Sequence, residues 1–126
     1  MMKNFKKSKK SLLTAWLLTA VMLLQLVSPL SVLADETVKS GVDGNISWSV
    51  ADGVLTLSGN GDMNNYDYWD NPAPWKGLSF TTAIVEEGVT SIGEMAFYDC
   101  TGLTSITLPE SLITIGEEAF SGCTGL

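Results

Sequence analysis

The residues of this sequence whose types could do chemistry are paired carboxylates and two cysteines. The acidic pairs are Glu86-Glu87, Glu117-Glu118, and Asp67 with Asp70. General acid and base catalysis requires two such groups in a defined cleft, in environments that separate their pKa values. The glutamate pairs instead fall on predicted turns and at the start of a predicted helical segment. We therefore expect these carboxylates to form a solvated surface and not a catalytic site.

The two cysteines, Cys100 and Cys123, lie 23 residues apart in a chain that has no histidine. The lack of histidine excludes Ser-His and Cys-His catalytic pairs and the most common zinc ligand. The thiols could form a disulfide or a redox pair, or they could fill equivalent positions in a core, as free cysteine often does. We favour the second interpretation. The sequence thus predicts no catalytic residue, no metal site, no cofactor and no enzyme activity.

Three aromatic residues, Tyr66, Tyr68 and Trp69, alternate with aspartate and asparagine and are candidates for stacking on sugars. Their rings would supply flat apolar faces, and the polar neighbours would bond to hydroxyl groups. The alternative is that Trp75 and at least one of the tyrosines fill a core, since aromatic side chains bury large areas. We favour the core interpretation.

An internal repeat of 23 residues positions many of these side chains, because residues 92–103 recur almost unchanged as residues 115–126. A fixed period of this size is typical of stacked repeats. Each copy predicts a short strand, a bend and a short helical turn, the last over residues 117–123. In the strand, Ile106 and Leu108 are predicted to face inward.

The outward strand residues of stacked repeats line up into one surface that can bind a ligand. In the two copies these residues are Thr82, Ile84, Ser105 and Thr107. A useful protein interface buries about 800 Å² per partner. Two strands predict a surface smaller than that.

Residues 1–34 have the pattern of a secretory signal peptide. A lysine-rich start precedes an apolar run from Leu12 to Val27, and small residues precede a predicted cleavage between Ala34 and Asp35. The alternative is a membrane anchor, but the run is shorter than the roughly 20 residues that span a bilayer. We expect a secreted or cell-surface protein with no membrane insertion after cleavage.

The charge of the remaining chain disfavours nucleic acid and anionic membranes as partners. All fourteen acidic residues follow Ala34, and only Lys39 and Lys76 follow it among the basic ones, so residues 35–126 carry a formal charge of −12. Binding to phosphate depends on clustered lysine and arginine. We expect no nucleic-acid partner.

The segment before the repeats predicts a β-hairpin that caps them. Apolar and polar residues alternate over residues 45–50 and 54–58, and Asp52-Gly53 between these runs is a strong signal for a tight turn. Asp35 to Ser40 is predicted to be a short polar leader. The predicted organisation is a signal peptide (1–34), a β-rich N-terminal capping unit (35–79) and two repeats (80–102 and 103–125) with the first residue of a third.

The repeats resemble those of bacterial BspA-like leucine-rich repeat proteins of the 23-residue type. The residues that match the pattern are Leu103, Ile106, Leu108-Pro109, Leu112, Ile115-Gly116, Ala119-Phe120 and Cys123. The segment from Gly41 to Trp75 also resembles the unit that precedes such repeats in secreted bacterial proteins. The resemblance implies a right-handed β/α solenoid after a hairpin cap, and an adhesion or recognition role toward an extracellular or host protein.

These observations predict a β-rich leucine-rich repeat scaffold for protein recognition or adhesion, forming part of a longer protein. Two alternatives stay open. The repeats could be an accessory module of a secreted hydrolase, or the aromatic residues of the cap could form a carbohydrate-binding module.

Overall fold

A computed structural model describes residues 38–126, in which eight strands form two sheets and no helix occurs. The predicted signal peptide and the cleavage residues Ala34 and Asp35 lie outside the described residues. The strands are β1 (Lys39–Asp43), β2 (Ile46–Ala51), β3 (Val54–Gly59), β4 (Gly61–Asp62), β5 (Thr82–Val85), β6 (Val89–Ile92), β7 (Ser105–Thr107) and β8 (Thr114–Ile115).

The predicted hairpin is confirmed as β2 and β3, which pair antiparallel up to Ala51 opposite Val54. Asp52 and Gly53 form the turn with φ angles of 51° and 75°. Positive φ at both central residues defines the type I′ turn, whose twist matches that of the flanking strands. The Asp-Gly pair therefore determines where the chain reverses and which residues pair.

A second hairpin precedes it, because β1 pairs antiparallel with β2 around the turn at Gly44 and Asn45. Lys39 and Ser40 belong to β1, so their prediction as part of a polar leader is wrong. The strand is polar because it lies at the edge of the sheet, so its composition carries no apolar alternation. The sequence signal for this hairpin was the glycine at position 44, which adopts a φ of 59° in the turn.

The hairpins join the repeats through a parallel ladder. Strand β3 pairs parallel with β5, and β5 pairs parallel with β7, giving a five-stranded sheet in the order β1-β2-β3-β5-β7. In this ladder Thr82 lies opposite Ser105 and Ile84 opposite Thr107, so the offset equals the repeat length. The 23-residue period in the sequence is thus the register of the sheet.

A second, three-stranded parallel sheet, β4-β6-β8, includes β6 and β8, which lie where the sequence predicted only a bend in each repeat. Ser91 and Ile92 of β6 pair with Thr114 and Ile115 of β8. These strands are two to four residues long, too short for a period of two to show in the sequence. Each repeat therefore contributes two strands.

The predicted helical turns are not confirmed, because residues 94–99 and 117–122 form successive tight turns instead. In a helix every amide donates to the carbonyl four residues back. In residues 94–99, alternate amides donate to the next repeat: Met95 N to Glu117 O, Phe97 N to Ala119 O and Asp99 N to Ser121 O, at 3.0, 2.8 and 2.8 Å. The amides between them donate three residues back. Positive φ angles at Met95, Asp99, Glu118 and Gly122 accompany this pattern.

The core lies between the two sheets and the turns. Its fully buried large side chains are Trp75, Phe97, Ile46, Leu55, Leu57, Ile92, Leu103, Val85 and Val89. Phe97 and Phe120, the phenylalanines of the two Ala-Phe pairs, stack with centroids 5.3 Å apart and planes 6° apart. Leu108, which was predicted to face inward, is 38% exposed. Ile106 packs partly buried against the core, as predicted.

Candidate binding surface

The structure brings together the four outward strand residues that the sequence singled out. Ile84, Ser105 and Thr107 are exposed and Thr82 is half-buried. Thr82 is opposite Ser105, whose hydroxyl oxygen lies 3.4 Å from the Thr82 hydroxyl, and Ile84 is opposite Thr107. Their inward neighbours Ala83 and Val85 are buried, so the strict alternation of the strand produces this surface.

The same surface continues across the hairpins. In register, one row of outward residues crosses all five strands: Ser40, Ser49, Thr56, Ile84 and Thr107. A second row consists of Ala51, Val54, Thr82 and Ser105, and a third of Val42, Ser47 and Ser58. We call these twelve residues the outer sheet face. The hairpin part of this face was not predicted from the sequence, because only residues of the repeats were identified as outward-facing.

The outer sheet face has no charged residue: eight of its twelve side chains carry a hydroxyl group and four are aliphatic. This contrasts with the described chain as a whole, since residues 38–126 hold twelve acidic and two basic residues, a formal charge of −10. Hydroxyl groups can donate and accept hydrogen bonds, and their small side chains leave the sheet surface accessible. The surface can therefore form hydrogen bonds with a partner whether or not the partner is charged.

The candidate sugar-stacking aromatics are only partly available. Tyr66 is 4% exposed and packs edge-on against Trp75 at 5.5 Å between ring centroids. Its hydroxyl donates to a carboxylate oxygen of Asp43 at 2.7 Å, and burial, followed by this bond, raises the pKa of Tyr66. Tyr66 is therefore a core residue, which contradicts its assignment as a stacking residue. The predicted core role for Trp75, with one tyrosine, is confirmed.

Tyr68 and Trp69 are exposed, at 38% and 83%, on a loop ordered by a single carboxylate. One oxygen of Asp67 accepts the amide protons of Trp69, Asp70 and Asn71 at 2.9, 2.6 and 3.0 Å. These bonds, led by those from Asn71 and Asp70, hold the pKa of Asp67 below its usual value. The loop presents its aromatic side chains from an ordered backbone.

The paired glutamates are exposed, as predicted, and one of them has a structural role that the sequence did not reveal. The carboxylate of Glu87 accepts the amide protons of Glu110 and Ser111, one repeat further on, at 2.8 and 3.2 Å. It thus satisfies backbone donors at the turn before β8. Within residues 38–126, no group of three or more acidic or cysteine side chains is placed to hold a metal ion.

Both cysteines are free and half-buried, at equivalent positions in successive repeats. The Cys123 thiol donates to the carbonyl of Phe97 at 3.0 Å. Burial is the main cause that raises the pKa of both thiols, and it raises that of Cys100 to about 11, with smaller contributions from Cys123 and Asp99. This placement agrees with thiols that fill core positions.

We expect both thiols to react slowly with iodoacetamide at pH 8, and Cys100 to be the slower. Alkylation requires the thiolate, and a pKa of about 11 lowers the thiolate fraction about 100-fold relative to an ordinary cysteine. Mass spectrometry of digested samples would give both rates. The chain unfolded in urea is the control, in which both sites should react like a small thiol. A Cys100 rate equal to that of glutathione in the folded chain would contradict the structure.

The part of the chain that the structure describes contains no helix long and apolar enough to span a membrane. This finding concerns residues 38–126 only.

Comparisons with known proteins agree with the geometry. Residues 74–126 match the family described as BspA type leucine rich repeat region (6 copies). The crystal structure of a leucine-rich repeat protein from Eubacterium ventriosum is similar to this chain, with a TM-score of 0.63 and 33% sequence identity over 69% of the chain. The chain spans 24% of that protein. No protein of curated function matches the chain. Residues 74–126 of this chain, which include both repeats, therefore belong to the BspA type of leucine-rich repeats.

Proposed function

We propose that this chain is a secreted or cell-surface scaffold that recognises a protein through the outer sheet face, and that it has no enzymatic activity. The observation that carries the proposal is the continuity of this face over five strands, from the hairpins into the repeats. Stacked repeats characteristically bind partners through such extended surfaces. The parallel ladders with an offset of one repeat support a right-handed solenoid as the scaffold.

The hairpins make the proposed surface much wider than two repeats alone would. Neighbouring strands lie about 4.8 Å apart, so five strands span about 19 Å between their axes, whereas β5 and β7 span a single interval. The face also avoids the acidic character of the rest of the described chain. A partner of either charge can therefore approach it without direct repulsion from the contact residues.

The proposed partner is an extracellular or host protein, and the proposed contact is dominated by hydroxyl and aliphatic groups. Interactions between exposed charges weaken as salt screens them, whereas hydrogen bonds of neutral groups and apolar contacts do so far less. We expect the affinity to change less than about threefold between about 50 mM and about 500 mM NaCl. A steep salt dependence would indicate that the partner binds to the acidic surface instead.

A pair of matched substitutions tests the proposal. Ile84 is 36% exposed on β5 within the outer sheet face, and Ile113 is 79% exposed in the loop before β8. The full chain and its Ile84→Glu and Ile113→Glu variants would be measured by surface plasmon resonance against a panel of purified serum and extracellular-matrix proteins. We expect Ile84→Glu to weaken binding at least about tenfold, because it buries an unpaired charge. Ile113→Glu should bind like the parent, and equal weakening by both would refute the assignment.

The proposed export rests on residues 1–34 of the sequence and can be tested separately. When the full chain is expressed in a bacterium with a secretory pathway, we expect N-terminal sequencing of the exported protein to begin at Asp35. Replacement of Ala34 by a bulky residue should impair cleavage, because the position before the scissile bond requires a small side chain. An exported chain that retains Met1 would favour the membrane-anchor alternative.

No described residue favours the alternative of an accessory module for a hydrolase over the scaffold. The carbohydrate alternative is favoured by exposed aromatic side chains outside the outer sheet face, among them Trp69.

A further inference from the structure

A row of aromatic side chains, of which Tyr68 and Trp69 are exposed and Tyr98 is half-buried, lies on the loops and turns beside the sheets. Trp69 packs edge-on against Tyr68, with ring centroids 4.5 Å apart, and Tyr68 packs edge-on against Tyr98 at 5.8 Å. We call these three residues the aromatic ridge. Trp69 is 83% exposed, so most of its indole is free to contact a ligand. Exposed aromatic clusters of this kind typically mark binding sites.

The ridge is held in place before any ligand binds. The three hydrogen bonds from backbone amides to the Asp67 carboxylate order the backbone of Trp69. The Lys76 ammonium lies 3.5 Å from the centroid of the Tyr68 ring. A cation over an aromatic face is attracted by the ring electrons, so it restrains Tyr68. A site that is ordered in advance loses less conformational freedom on binding.

A groove of about 610 Å³ adjoins the ridge, because it is lined by Tyr98 of the ridge and by Lys76, which lies over the Tyr68 ring. This volume is in the range of small-ligand sites. Leu78, Phe80 and Cys100 give the groove apolar, half-buried walls. Asp99 and Lys76 supply an acceptor and a donor of opposite charge. The site thus combines flat apolar surfaces with hydrogen-bonding groups and little net charge of its own.

We propose that the aromatic ridge and this groove bind a neutral oligosaccharide. A sugar ring has an apolar face of C–H groups that stacks on an aromatic side chain, and hydroxyl groups that bond to carboxylate and ammonium groups. An acidic polysaccharide fits less well, because residues 38–126 carry a formal charge of −10. The loops and turns that line the groove contain no strand, so a peptide could not extend a sheet there.

This site goes beyond the proposed recognition of a protein, because it shares no residue with the outer sheet face. It also differs from the stacking surface predicted from sequence. Tyr66 is replaced by Tyr98, which lies 30 positions beyond Tyr68 in the chain. The repeats therefore contribute to a site that sequence alone confined to the cap.

The test is to titrate the full chain with cellohexaose, mannohexaose and maltohexaose and to measure binding by calorimetry and by tryptophan fluorescence. We expect at least one of them to bind with a Kd below about 1 mM and to change the emission of Trp69. Trp69→Ala should weaken binding at least about tenfold, whereas Trp69→Phe, which keeps a flat face, should retain most of it. Trp69 is exposed, so neither variant should unfold the chain.

A second variant tests the groove. A Cβ on Gly102 would meet only the Phe80 carbonyl oxygen, at an ordinary 3.8 Å, so Gly102→Leu should fold and fill the groove. It should weaken binding, while Ile113→Ala and Ile84→Glu should not. The proposal would be overturned if none of the three oligosaccharides bound, if binding were indifferent to Trp69→Ala, or if a proline-rich peptide bound in their place in a Trp69-dependent manner.

Discussion

Replacement of Trp75 by alanine is expected to lower the free energy of unfolding by about 4 kcal/mol. Trp75 is fully buried, and it packs against Tyr66 and Phe97 at 5.5 and 6.1 Å between ring centroids. Its indole N–H also donates to the carbonyl of Ala96 at 2.8 Å, which would be left without this donor. Truncation therefore adds an unpaired acceptor to a large cavity.

Urea denaturation followed by circular dichroism would measure this loss. Trp69→Ala is the matched control, since the same change at an 83% exposed position should alter stability by less than about 0.5 kcal/mol. Domains of this size are stable by only about 5–15 kcal/mol, so Trp75→Ala should leave the fold marginal. Equal denaturation midpoints for the two variants would show that Trp75 is not in the core.

The second large effect is expected from the smallest change, Gly93→Ala. A Cβ at Gly93 would overlap the backbone carbonyl oxygen of Asn64, which cannot rotate away as a side chain could. We expect a loss of about 3 kcal/mol, at the upper end of the usual range for overpacking. Gly116, at the same position of the next repeat, would overlap the backbone nitrogen of Glu94 in the same way. The glycine of each Ile-Gly pair thus lets neighbouring turns of chain approach closely.

Gly102→Ala is the control for this prediction. Its Cβ would lie 3.8 Å from the nearest atom, so its stability should stay within about 0.5 kcal/mol of the parent. Thermal unfolding of the two variants in parallel would separate the steric effect from the general change of glycine to alanine. If Gly93→Ala were as stable as Gly102→Ala, the close packing between the loop at Asn64 and the first repeat would be wrong.

The parts of the fold that the sequence predicted are those encoded by local or periodic patterns. Asp52-Gly53 indicated a turn because few residue types adopt the positive φ angles that the turn requires. The 23-residue repeat predicted the register of β5 and β7. The turns at Met95 and Glu118 were not predictable in this way. Amides of the turn at Met95 donate hydrogen bonds to carbonyls of the turn at Glu118, one repeat further on. These hydrogen bonds between repeats compete with helix formation and leave no periodicity in the chain.

The candidate surfaces were predictable to a different extent. Alternation identified Thr82 and Ser105 as outward residues, because the side-chain period of a strand is fixed. It did not reveal that β3 would pair with β5 and extend the face across the hairpins. Likewise, composition could not separate buried Tyr66 from exposed Trp69. Tyr66 is buried with its hydroxyl donating a hydrogen bond to Asp43, which lies 23 residues earlier in the chain. Such a distant partner cannot be identified from composition.

The proposed scaffold depends above all on the junction between the hairpins and the repeats, and nuclear Overhauser contacts measure that junction most directly. In the isotope-labelled full chain, we predict the parallel cross-strand pattern between residues 54–57 and 82–85, with Leu55 opposite Ala83 and Leu57 opposite Val85. The amides of these strands should also exchange slowly with solvent. Absence of contacts between these two segments would contradict the account, because the outer sheet face would then be divided into two separate surfaces.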